Sequence, residues 1–268
     1  MKRLYLLVLL ILFSSLQAQT KVLSWNLENF GKSKSETSIT YIVNTLKDYD
    51  IIAIQEVVAG YGGAQAVARL ADELNRKGAK WDYTISDPTI SSAYKTERYA
   101  FLWKTSMVRK IGKAWLEKKY HIEIDREPYY CTFESKEKQF TIVNFHAITK
   151  SKQPETEIKY FKFLPEEYPG LNLIFVGDFN CPQSHTVFNP LKKMGYQSVF
   201  RNQKTSLKKE CKSDLCLASE FDNIWYNAAK IKISRSAPIF FYTAFKTLKE
   251  ARTISDHLPI WMEFNSIP

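Results

Sequence analysis

Four apolar runs in this chain end in the same way. VLSW closes on Asn26, IIAIQ on Glu56, TIVNF on His146, and LIFVG on Asp178, with Asn180 two positions further on. Runs this short and this rich in Val, Ile, Leu and Phe read as buried strands rather than helices. Strand side chains alternate with a period of two, so Asp178 and Asn180 would leave a continuing strand on one face. Strand ends commonly carry Asp, Asn and Gly for turn chemistry alone. Asp222 and the pair Asp256–His257 open two further apolar runs. Six such places, able to converge at one edge of the sheets, are hard to account for as turns. They mark a candidate site.

The rest of the pattern fits around these strands. Strands are expected at 22–26, 51–56, 99–103, 140–146, 173–180, 221–226 and 257–264. Ile39, Ile42, Val43 and Leu46 have helical spacing, as do Val67, Leu70, Ala71 and Leu74, with Gly78 placed to end the second helix. Further helices are expected at 155–164 and at 186–194, the latter closed by Gly195. Gly60–Gly63 reads as a loop, too short and wrongly placed for a phosphate-cradling fingerprint. Helices and strands alternate early and strands dominate later, which favours a mixed α/β sandwich over a pure alternation. No repeat, low-complexity tract or linker interrupts the chain, so one domain is expected from about residue 20 to 268.

The first residues have a different character. Lys2 and Arg3 precede an apolar run from Leu4 to Phe13, then Ser14 to Ala18. This is the layout of a cleavable export signal over residues 1–18, and the run is too short to span a bilayer. Removing it takes two positive charges and no negative ones from the formal +10, leaving +8. Such an excess suits a polyanionic partner. Export permits disulfides among the four cysteines, which allow three pairings. Cys211 and Cys216 are spaced to close a local loop. A zinc half-site there would need a second Cys/His pair nearby, and none is present. Cys131 lies in an apparent strand, where a buried thiol is equally expected.

Three kinds of group occupy the candidate site. Asn26, Glu56 and Asp256 offer hard oxygen donors of the kind magnesium or calcium takes. His146 and His257 could each be held in one tautomer by a carboxylate. Asp178 and Asn180 could orient a water and a phosphoryl oxygen. These are the parts of metal-assisted phosphodiester hydrolysis. His121 and His185 read as structural or exposed, and no GxSxG or Cys–His arrangement for nucleophilic catalysis occurs.

Taken in order, SWNLENF, IIAIQEV, ERYAFLW, DREPYYCTF, NFHAITK, VGDFN, FDNIW and SDHLPIW resemble the endonuclease/exonuclease/phosphatase superfamily, and within it the secreted deoxyribonuclease I-like branch. The resemblance implies a four-layered α/β sandwich, two face-to-face mixed β-sheets flanked by helices. It implies metal binding by Glu56 with Asn26 and Asp256, and magnesium as the ion, with calcium or manganese as alternatives. His146 would be partnered by Glu97, and His257 by Asp222. Asp178 and Asn180 would orient phosphate and water, and Arg126 and Tyr94 would contact substrate. The product would carry a 5′-phosphate.

The chain departs from the family in places. Val58 stands where the animal enzymes place a groove-entering arginine, and Tyr94 lies one position upstream of the family's aromatic residue. The expected activity is DNA cleavage with little sequence demand by a secreted or periplasmic monomer, with no stable membrane association or protein partner. The alternative in the same superfamily is a phosphodiesterase or phosphatase acting on lipid or small phosphoesters. A non-catalytic anion-binding module is disfavoured, because every catalytic position holds the expected residue type.

Overall fold

Alternation within each strand decides what must cover it. In the strand Ile51–Val58 (β2), Ile51 and Ala53 belong to one apolar cluster while Ile52 and Ile54 belong to another. The strand Leu173–Asp178 (β8) does the same, with Ile174 and Val176 on one side and Leu173 and Phe175 on the other. Strands with no polar face have to be covered on both sides, which explains the unbroken apolar runs. The computed structural model describes residues 19–91, 96–213 and 215–267, so the expected export signal at 1–18 lies outside the described residues.

The first sheet contains β1 (Thr20–Phe30), β2, β3 (Trp81–Ile85), β4 (Glu97–Lys104), β13 (Ile231–Pro238) and β14 (Ile260–Ser266), in the order β13-β14-β1-β2-β4-β3. The second contains β5 (Arg109–Leu116), β6 (Tyr129–Ser135), β7 (Lys138–His146), β8, β9 (Tyr196–Ser198) and β12 (Asp222–Asn227), in the order β5-β6-β7-β8-β12-β9. Each sheet is mixed, with one parallel pair at its centre, β1–β2 in the first and β7–β8 in the second. A separate hairpin joins β10 (Leu207–Lys212) to β11 (Leu215–Leu217).

The two sheets pack face to face through Val22, Phe101 and Trp103 on one side and Phe133, Ile142 and Val176 on the other. Helices α1 (Glu36–Leu46) and α2 (Tyr61–Asn75) cover the outer face of the first sheet. Short helical turns within 155–167 and 186–193 cover the outer face of the second. The expected sandwich of two mixed sheets flanked by helices is therefore the observed fold.

Local chemistry explains the main differences from expectation. Gly60–Gly63 is not a loop: Gly60 caps α2, and Tyr61 to Gly63 form its first turn. A Cβ on Gly63 would lie 1.9 Å from the Val58 carbonyl oxygen, so the glycine lets the helix start against the strand it follows. The helix expected over 155–164 is broken into an α turn, a 3₁₀ stretch and a second α turn that begins at Leu164–Pro165. Proline at a first helical position suits a fresh start and not a continuation. The strand expected from His257 begins only at Ile260, after Pro259.

Candidate active site

Register alone brings three of the candidate residues abreast. His146 pairs with Asp178 across β7–β8, and Asp178 pairs with Asp222 across β8–β12. All three sit at one edge of the second sheet. The first sheet contributes from the matching edge, where two bulges break its central ladders. Between Ile54 and Val57, β2 carries one more residue than β4 does between Ala100 and Arg98, and Glu56 sits there with φ +59°. Between Asn26 and Phe30, β1 gains residues over β2, and Glu28 (φ +37°) and Asn29 (φ +54°) lie in the excess. Bulges of this kind re-aim side chains, and these direct Asn26 and Glu56 to one point. The amide of Asn26 donates to Glu56 Oε1 at 2.9 Å and to Asp178 Oδ2 at 3.2 Å.

Two histidine–carboxylate pairs face each other across Asp178. His146 Nδ1 lies 3.1 and 3.0 Å from the oxygens of Glu97, and His257 Nδ1 lies 2.8 Å from Asp222 Oδ2. Their Nε2 atoms approach the same oxygen, Asp178 Oδ2, at 3.4 and 3.5 Å. With Nδ1–H given to a carboxylate, each ring is held in one orientation, with its Nε2 turned toward Asp178.

The two pairs differ in electrostatics. Burial, and then the nearby Arg126 guanidinium, push His146 down to about 4, so its imidazole is neutral at neutral pH. Burial also lifts Glu97, to about 7, against the opposing charge of Arg126. For His257, burial works to lower the pKa, but Asp222 and Asp178 outweigh it and hold the ring well above its ordinary value. Burial raises Asp178 too, partly offset by His257.

Asp178 and Asn180 are brought together differently from the strand alternation expected. The strand stops at Asp178, and Asn180 adopts φ +48°. Its backbone N–H donates to Asp178 Oδ1 at 2.9 Å, while its side chain donates to the Ala147 carbonyl at 3.1 Å. The Asp178 carboxylate thus closes an Asx turn, and asparagine tolerates the left-handed backbone at position 180 better than most side chains. Arg126 is buried, and its guanidinium donates to Glu97 Oε2 and to the carbonyls of His146 and Ala147. Among the described residues, one N–H on each terminal nitrogen has no acceptor. Tyr94 lies outside the described residues.

Several supporting residues escaped the sequence reading. The Tyr99 hydroxyl receives the His146 N–H at 3.1 Å. Ser255 donates to the Asn26 carbonyl at 2.5 Å and accepts the His257 N–H at 2.9 Å. Thr205 accepts the Asp222 N–H at 2.9 Å. Glu28 joins Glu56 and Asp256 at the mouth, and its carboxyl is raised by burial and then by the Asp256 charge. Tyr99 could have been found in ERYAFLW and Ser255 in SDHLPIW. Glu28 had no signal beyond its place in SWNLENF.

Carboxylates crowded at an open edge suit a hard divalent cation. Glu56 and Asp256 keep partly exposed side chains, at 24% and 28%. Asp178, Asp222 and His257 also place ligand atoms within 4.8 Å of one another. There, however, Asp222 is buried and already holds the His257 N–H, so that group is better suited to moving a proton than to taking an ion. Glu56 and Asp256 are the more exposed carboxylates beside it, 3.8 Å from His146 Nε2 and 3.9 Å from His257 Nε2.

A family model described as the endonuclease/exonuclease/phosphatase family matches residues 23–257. The chain belongs to that family. Its relatives put it in the deoxyribonuclease I-like branch. Human deoxyribonuclease gamma is 29% identical over 97% of this chain and 90% of its own length. Bovine deoxyribonuclease-1 is 27% identical over 90% of each. Among solved structures, the human Nocturnin catalytic domain superposes with a TM-score of 0.66 at 16% identity, covering 94% of this chain and 96% of that one. A Bacteroides thetaiotaomicron mannosyl-6-phosphatase gives 0.64 at 19% identity, covering 92% and 99%. Likeness at these identities speaks for the fold alone. Among the described residues, no helix is long and apolar enough to cross a membrane.

Proposed function

We propose that the protein is an exported, divalent-metal-dependent endonuclease that hydrolyses DNA phosphodiester bonds with little sequence demand, leaving 5′-phosphate and 3′-hydroxyl ends. The observation that carries this reading is the convergence of two carboxylate-backed histidines on Asp178, beside the carboxylates of Glu56 and Asp256. The family and the deoxyribonucleases among its relatives support the reaction class and the substrate.

Each residue then has a role. His146 Nε2, neutral and aimed by Glu97, accepts a proton from the attacking water. His257 Nε2, charged and held by Asp222, donates a proton to the departing 3′-oxygen. The P–O3′ bond breaks as the water oxygen bonds to phosphorus. Paired groups with pKa values driven apart in this way can divide base and acid roles. Asp178 lies between the two Nε2 atoms and orients them, and the Asn180 amide holds the turn that carries it. Glu56, Asp256 and Asn26 would hold the cation, which when bound supplies charge to a phosphoryl oxygen. Arg126 positions Glu97 and offers its remaining N–H groups to phosphate, and Tyr94 is assigned a substrate contact. The leader at 1–18, the single domain over 20–268 and a monomeric state complete the reading.

Supercoiled-plasmid nicking by the mature chain tests it, with and without EDTA, beside His146→Ala. Relaxed plasmid that forms only with metal and is lost in the variant is expected. Intact plasmid with robust phosphocholine release from sphingomyelin would move the substrate to lipid and leave the fold untouched.

A further inference from the structure

The hairpin β10–β11 takes no part in either sheet, yet it is rooted in the site. Its first residue, Leu207, donates its N–H to the Asp256 carbonyl at 2.7 Å, and Ser206 pairs with His257 in an isolated bridge. Arg252 ties the same root to the site from the other side. It donates to the carbonyls of Leu207 and Lys208 at 3.2 and 3.3 Å, and its other terminal nitrogen lies 3.3 Å from Asp256 Oδ2. The far end of the hairpin is closed by the Cys211–Cys216 disulfide, the pairing the sequence spacing allowed.

Between this hairpin and the segment 246–252 lies a cleft of about 390 Å³ whose walls include Lys209, Lys249, Arg252, Thr247 and Glu210. Three cations against one carboxylate leave its walls with a net +2. Lys209 and Lys249 are exposed, and among the described residues neither ammonium is engaged in an ion pair. Over residues 207–217 and 246–252 together, six basic residues are set against the acidic Glu210, Asp214 and Glu250, a net +3. Lys209 stands two residues along β10 from the residue bonded to Asp256, which is about 7 Å at strand rise.

We propose that this cleft seats a phosphate of the DNA backbone flanking the scissile bond, gripped by Lys209 and Lys249. The proposal rests on the nuclease reading and adds a backbone contact away from the reacting phosphate. A small phosphodiester cannot reach both places at once, while a strand can. The disulfide and the Arg252 bonds fix the hairpin before substrate arrives, which lowers the ordering cost of the contact. Contacts of this kind carry no sequence information, and they make binding fall with salt, with a slope of about −0.9 per phosphate neutralised in log K against log salt.

The test compares the mature chain with Lys209→Gln/Lys249→Gln, two exposed changes outside the catalytic groups. Duplex DNA binding would be followed by fluorescence anisotropy over a salt series, and turnover would be followed with bis(p-nitrophenyl) phosphate and with plasmid. The expected result is a salt slope shallower by about 1 and DNA binding weakened roughly tenfold at low salt, with small-diester turnover unchanged. An unchanged slope in a variant whose parent still cuts plasmid overturns the cleft and leaves the nuclease reading standing. A parent that turns over the small diester but neither binds nor cuts DNA overturns both. Binding to phosphatidylserine vesicles that the double change removes, beside an unchanged DNA slope, would reassign the cleft to a lipid surface and also overturn the proposal.

Discussion

Within the site, two histidines of one chemical type are given opposite states by their neighbours. His146 lies beside Arg126, and His257 lies among Asp222, Asp178 and Asp256. Replacing either by alanine removes a proton-transfer group, and a plasmid-nicking rate lower by about 100- to 10,000-fold is expected with the circular dichroism spectrum unchanged. Retention of most of the activity in either variant would remove that residue from the mechanism. Asp222→Asn probes the electrostatics more finely. The Asp222 charge favours the imidazolium of His257, so its loss lowers that pKa and the acid form disappears at lower pH. The alkaline limb of the rate profile should therefore move down by about 1 to 3 pH units, and the acid limb should stay in place. A profile that keeps its alkaline limb would separate Asp222 from the donor role. His146, His257 and Asp222 could be singled out in the sequence because each begins or ends a recognisable run, whereas Glu97 came only from the family resemblance. The conformations of Glu56 and Asn180 could not, because a positive φ in a residue with a side chain is selected by tertiary contacts and leaves no mark on the pattern.

Along the elements, the buried strands were the readable ones. The edge strands β5 (RKIGKAWL) and β13 (IKISRSAP) escaped because lysine, arginine and serine interrupt their apolar alternation. Charges there discourage edge-to-edge pairing and so blur the strand signal. Gly177 in β8 exposes a constraint of another sort. It holds φ +134°, and a Cβ there would lie 1.9 Å from the Phe145 carbonyl oxygen on β7. Strands β7 and β8 carry His146 and Asp178, so a substitution would part the very pair that builds the site. Gly177→Ala should cost at least about 2 to 3 kcal/mol of unfolding free energy, since both backbone strain and a steric shift are imposed. Gly170→Ala, with nothing within 4 Å, should stay within about 0.5 kcal/mol of the parent. Equal urea midpoints for the two variants would show that β7 and β8 can separate without penalty.

At the scale of the whole molecule, the bulge that presents Glu56 creates a debt inside the sandwich. Where β2 and β4 fall out of register, the carbonyls of Ile54 and Ala100 face the second sheet. Asn144, fully buried on β7, donates to them at 3.0 and 3.4 Å and accepts from Gln55 at 2.5 Å. Gln55 in turn donates to Ser24 on β1 at 3.0 Å. A polar bridge thus crosses the interface between two apolar sheet faces and fixes their relative position close behind the site. In the sequence Asn144 is only one polar letter in TIVNF, because the need for it arises on another sheet. Asn144→Ala would leave the Gln55 amide and two carbonyls buried without that partner, each costing about 1 to 3 kcal/mol. Partial relaxation leaves a net loss of about 2 to 4 kcal/mol as the expected result, read as a lower urea midpoint at unchanged m-value. Because the same carbonyls border the bulge, the fraction that stays folded should also cut plasmid more slowly, with Glu56 less firmly aimed. A variant that loses stability but keeps its full folded-state rate would mean that the bridge only joins the sheets. Loss of both would mean that the packing of the two halves and the aim of the site are set by one set of hydrogen bonds.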